Sequence, residues 1–150
     1  MLVDDLKTLL ATSFSYYLKT ANYHWNIEGE DFIQYHPWLG ELYNGVYGSI
    51  DQIAEYIRAM QAYTPASLVR FMELTRITDQ IEVAQPMALF QQLLADNQIM
   101  LDLLNTTFDT ATDAVHNSSH NVSASAVLGN ISDQKAGAYS GDITITVSSI

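Results

Sequence analysis

Over the first two thirds of the chain, apolar side chains return every three or four positions, the spacing of one face of an α-helix. Leu6, Leu9, Leu10, Phe14, Tyr17, Leu18, Ala21 and Trp25 form the first such stripe and predict a helix over 3–26. Leu39, Tyr43, Tyr47, Ile50, Ile53, Ala54, Ile57 and Met60 form the second and predict a helix over 34–61. Gly45 and Gly48 lower the propensity of that helix but let another helix approach closely. Residues 62–84 break the pattern. Tyr63, Thr64, Pro65 and Ala66 signal a stop and a restart, with Pro65 suited to a first helical turn and a short helix expected over 67–74. Antiparallel neighbours need only a few connecting residues, so this length implies a crossover to the other end of a bundle. A third helix follows over 86–114, with Met87, Leu89, Phe90, Leu93, Leu94, Met100, Leu101, Leu104 and Phe108 as its apolar positions and the methionines as core filler.

From residue 115 onwards the helical period fades into Ser, Asn, Gly and Ala. A bundle needs a fourth helix at roughly 119–138, whereas DITITV at 142–147 alternates like a short strand. The fold expected is therefore all-α, one domain over 1–150 with its bundle core at about 3–138 and a divergent tail at 139–150. A chain of 150 residues suits a single domain with a substantial core.

Composition narrows the chemistry. No apolar run reaches the eighteen or so residues of a membrane span. The segment MLVDDLKTLL lacks the basic start and small-residue cleavage site of a signal peptide, so a cytoplasmic location is expected. Asn-x-Ser/Thr triplets occur near the end, but glycosylation needs a secretory context that nothing here supplies. With no cysteine, a metal site must use His, carboxylate or water.

Four residues form a candidate site for a hard or borderline ion such as iron: His24, His36, Asp51 and Glu55. Asp51 and Glu55 are one helical turn apart on one face and can approach the same ion. His36 lies fifteen residues before Asp51, about 22 Å along a continuous helix. One chain therefore cannot easily bring His36 and Asp51 to one ion. Two antiparallel copies related by a two-fold axis can, with His24 and His36 from one and Asp51 and Glu55 from the other. The plainer alternatives are a histidine satisfied in the core or an interface, and an exposed Glu55–Arg58 ion pair. His116 and His120 stand four apart and would chelate only on a helix; their Ser/Asn surroundings mark them as surface residues.

The strings YLKTANYHWNIEGEDF, then His36, then SIDQIAEYIR and TPASLVRFMELTRITD closely resemble the Dps family of mini-ferritins, across roughly residues 5–110. The resemblance implies a ferritin-like four-helix bundle whose long crossover carries a short helix. It also implies hollow dodecamers built from two-fold dimers, which oxidise Fe(II) with hydrogen peroxide and store ferric mineral. Carried over by position, His24, His36, Asp51 and Glu55 fall on the family's iron ligands, a di-iron centre shared across the dimer interface. Trp25 would pack at that interface. DNA binding, the activity that names the family, is opposed by charge: six basic residues against seventeen acidic give −11, and the basic ones are scattered. An acidic surface suits cation uptake instead.

The chain departs from the family pattern in three places. Gly40 stands where the family usually carries an acid, four residues after the second histidine, and Glu41 is rotated by about 100°, which compromises the second, more weakly held iron. Pro37 directly follows His36 and requires the helix to begin close by. The unusual C-terminal segment weakens the cage contacts or creates one with another protein. These departures support a rival reading, a non-enzymatic ferritin-like structural subunit of a larger assembly.

Overall fold

The computed structural model describes residues 1–83, 85–116, 120–126 and 143–149, with side chains for 1–83 and 85–113. Helix α1 (Leu2–Asn26) carries Asp4 and Asp5 in its first turn, where carboxylates complement the positive end of the helix dipole. It is buried on several sides, because α2 (Phe32–Ala59), the crossover helix α3 (Leu68–Leu74) and α4 (Pro86–His116) all pack against it. That placement corrects part of the expected stripe. Leu6, Leu9 and Leu10 are buried as anticipated, but the large side chains facing the core further along are Tyr16 and Tyr23, while Leu18 and Trp25 are exposed. A helix enclosed by neighbours has no single inward face, so periodicity alone does not choose between Tyr16 and Tyr17.

The α1–α2 connection is four residues of tight turn after Ile27, with Gly29 at φ 108°, a backbone state that favours glycine. Helix α2 runs for 28 residues, about 42 Å, and faces α1 with Leu39, Val46, Ser49, Ile53 and Ile57. It begins at Phe32, so Pro37 lies in its second turn. Proline cannot donate to the carbonyl four residues back, that of Ile33, a residue exposed to solvent.

Helix α3 opens at Ser67, whose hydroxyl accepts the Arg70 N–H (3.2 Å) as an N-cap. Pro65 thus lies outside the helix rather than in its first turn. The segment after α3 is strapped across α1: the Arg76 N–H donates to Thr12 Oγ1 (3.2 Å), Lys19 Nζ to the Thr78 carbonyl (3.0 Å) and Asn22 Nδ2 to the Gln80 carbonyl (3.2 Å). Helix α4 starts with Pro86, which suits a first helical position, and buries Leu89, Leu93, Met100, Leu104 and Ala111 at steps of one or two turns. Full burial of each large aliphatic side chain contributes about 1.5–3 kcal/mol. Among the described residues no helix is long and apolar enough to cross a membrane.

The fourth long helix expected over 119–138 does not form in the described part of that span. His120–Ala126 is an extended strand, β1, paired antiparallel with β2 (Ile143–Ser149), His120 opposite Ser149 and Ala126 opposite Ile143. Residues 127–138 lie outside the described residues. The reason is compositional: in HNVSASA, Ser and Asn compete for backbone hydrogen bonds, and ITITVSS supplies alternating β-branched residues, as the strand expected at 142–147 required. Strand β1 lies along α4 and β2 beside α2. His116 ends α4 and His120 opens β1, so the two share no helix face.

Candidate metal centre

The turn at Gly29 folds the end of α1 back against the start of α2 and brings His24 and His36 together. Their rings stack with centroids 3.8 Å apart at 24°. Each imidazole is anchored by the backbone of the other residue: His24 Nδ1–H donates to the His36 carbonyl (2.6 Å) and His36 Nδ1–H to the His24 carbonyl (2.9 Å). A carbonyl only accepts, so these bonds place the proton of each neutral ring on Nδ1 and leave Nε2 with its lone pair, the form in which histidine binds a metal. Phe32 stacks on the other side of His36 at 4.7 Å, and Tyr43 meets His24 edge-on at 5.2 Å. Gly40 lies directly below the His24 ring; a Cβ there would stand 3.1 Å from Cε1.

Asp51 and Glu55 sit further along α2, exposed and one turn apart. The Glu55–Arg58 ion pair, the plainer alternative for that carboxylate, does not form. Arg58 turns the other way, donating from Nη1 to the Ala62 carbonyl (2.8 Å) with its guanidinium 4.9 Å above the Tyr63 ring. Among the described residues of one chain, no three of His, Asp and Glu converge on a common point. The chain therefore joins His24 to His36 and Asp51 to Glu55, but not the first pair to the second. Trp25, 64% exposed, leaves a large indole uncovered beside His24.

A second polar cluster, unforeseen in the sequence, lies in the bundle interior. Lys19 Nζ and Asp96 Oδ2 are 2.7 Å apart with side chains only 2% and 1% exposed. Gln92 Nε2 donates to Asp96 Oδ1 (3.0 Å), and the Tyr23 hydroxyl to Gln80 Oε1 (3.3 Å). Burial, with the negative charge of Asp96 adding to it, pushes the Tyr23 phenol up to about 12 and raises that of Tyr16 as well. The signal was present: Lys19 falls three residues after Tyr16, and Asp96 three after Leu93, so both charges occupy core-facing turns.

Residues 3–128 match the ferritin-like domain family. An uncharacterized protein of Haemophilus influenzae is 31% identical over 102 residues, 67% of this chain and 63% of that protein. The DNA protection during starvation protein of Helicobacter pylori is 29% identical over 92 residues, 61% of this chain and 64% of that protein. The chain thus spans just under two thirds of the length of these curated relatives. A solved Dps protein from Vibrio cholerae O1, described as a member of a broad superfamily of ferritin-like diiron-carboxylate proteins, superposes with a TM-score of 0.73 at 25% identity, covering 79% of this chain and 74% of that one. The chain belongs to the ferritin-like family and, within it, to the Dps proteins.

Proposed function

We propose that the protein is a mini-ferritin that binds and oxidises Fe(II), with iron as substrate and cargo, at sites shared between two subunits of a hollow homo-oligomer, a dodecamer of two-fold dimers. The observation that carries this reading is the division of the donor set. Two imidazoles with free Nε2 stand at one end of α2, and two carboxylates without ion-pair partners among the described residues stand about 22 Å along it. Neither half suffices for an iron site; the two halves from neighbouring subunits supply the nitrogen and oxygen donors that suit iron.

In this reading His24, Glu55 and Asp51 hold the first ferrous ion, and His36 with bridging Glu55 serves the second. Each ferrous ion gives one electron to hydrogen peroxide. The O–O bond breaks, two protons are taken up and two waters leave, without release of hydroxyl radical. The residues orient the ions, and the surplus of carboxylates draws cations inward. Anaerobic Fe(II) oxidation by stoichiometric peroxide tests the proposal: a protein-dependent rate that disappears in Glu55→Ala supports it, and a rate equal to the buffer control from a folded oligomer refutes it.

That second result would favour a structural subunit with vestigial sites. Gly40, where the resemblance implies an acid, and the hairpin beside α2 and α4 are what favours that reading. Condensation of DNA is opposed by the net charge of −11.

A further inference from the structure

We propose that Gly40 is a positioning residue: the missing Cβ opens a bay in which His24 and His36 lock each other in the Nδ1–H tautomer, both Nε2 lone pairs ready for a cation before it arrives. The proposal rests on His24 and His36 as ligands, but it concerns how the metal-free chain prepares them. Gly40 is one turn after His36, so within α2 its amide points back to the His36 carbonyl, the same oxygen that accepts His24 Nδ1–H. A side chain at position 40 would stand between α2 and the ring that comes down to that oxygen, 3.1 Å from Cε1 and 3.4 Å from Nδ1. The ring has little room to slide aside. His36 covers one of its faces, Phe32 backs His36, and Tyr43 closes on His24 edge-on. Held on these sides, it gives the few tenths of an ångström that a Cβ requires by turning about its side-chain torsions, which misaligns the bond to the carbonyl and weakens the preference for Nδ1–H over Nε2–H, the latter nitrogen being the one that binds metal.

Position 40 thus contributes room rather than a ligand, and the room serves a pair of imidazoles that need no reorientation on binding. Gly48 supplies the control. It lies on the same helix, but a Cβ there meets nothing within 4 Å. An alanine at either glycine raises helix propensity equally, and only one of them reaches a histidine.

The test uses the metal-free assembled protein labelled with ¹⁵N-histidine, in a His116→Gln/His120→Gln background, with ring tautomers read from ¹⁵N shifts by solid-state NMR. His24 and His36 should both carry the proton on Nδ1 in the parent and in Gly48→Ala. In Gly40→Ala, His24 should gain a measurable Nε2–H population, and affinity for Co²⁺, the probe ion, should fall by about 10-fold, the lower end of the cost of losing such orienting support. A parent protein with Nε2–H at His24, or a Gly40→Ala signature identical to the parent, overturns the proposal. Neither readout involves iron oxidation, so a protein that shows the tautomer signature yet fails to oxidise iron sinks the ferroxidase reading and leaves the role of Gly40 standing.

Discussion

Lys19 and Asp96 are the residues whose removal the fold should tolerate least. Their charges face each other at 2.7 Å inside the bundle, and Lys19 also ties the crossover down through the Thr78 carbonyl. Deleting one partner strands the other charge in a low-dielectric interior, so Lys19→Met should cost about 3–5 kcal/mol in urea unfolding. Replacing both, as Lys19→Met with Asp96→Leu, should recover most of that loss, because the stranded charge disappears with its partner. A double variant no more stable than the single one would show that the strap to Thr78, rather than the pair, carries the effect. The tyrosines beside them give a pH signature. Tyr23 is held protonated up to about 12 in the folded chain against 10.0 for a free phenol. The unfolded chain releases that proton first, so the contribution to stability is complete below pH 10 and is lost as pH rises towards 12. The urea midpoint should therefore fall between pH 9 and pH 11, by less in Tyr23→Phe than in the parent; equal falls would contradict the assignment.

Among the elements, the α1–α2 turn sets the site, because it alone decides that His24 meets His36. Gly29 adopts φ 108° with open space around its Cα. Gly29→Ala meets no steric obstacle, and its whole cost is backbone strain, about 1–3 kcal/mol. Denaturation should show that loss; an unchanged midpoint would mean that the turn relaxes without penalty. This turn was legible only as a short glycine-containing link. The helices were legible because their apolar spacing is local: 34–61 was expected where α2 spans Phe32–Ala59, and 86–114 where α4 spans Pro86–His116. The Lys19–Asp96 pair was legible only as two separate charges on core-facing turns, since their pairing joins positions 77 apart. The fourth helix was expected from the needs of a bundle, and the Ser/Asn-rich sequence there had no helical stripe to offer. Of the candidate site, the separation of His24 and His36 from Asp51 and Glu55 was legible from spacing. The bay at Gly40 was not, because position 40 registered as a missing ligand rather than as room for His24.

For the whole molecule, the proposed function makes chemistry depend on assembly, because one chain keeps the two pairs of side chains apart. Leu18, Trp25 and Tyr47 on α1 and α2, and Leu68, Val69 and Met72 on α3, are all exposed in the single chain. Tyr17 against Tyr47 and Phe14 against Phe71 link these three helices by ring contacts at 5.1 and 5.0 Å. Apolar surface on adjoining helices is what a partner would cover. If a second copy covers it, a variant lacking a histidine and a variant lacking a carboxylate are each inactive alone, yet they complement each other when mixed. In a dimer of His36→Ala with Glu55→Ala, one shared site carries both defects and the other carries neither. Random pairing makes half of the dimers mixed, so co-refolding equal amounts should restore about a quarter of the parental Fe(II) oxidation rate. Separate refolding followed by mixing should restore little if subunit exchange is slow. Were all four ligands drawn from one chain, co-refolding would restore nothing, and the contrast between the two protocols would separate a shared site from an internal one without any need to see the metal.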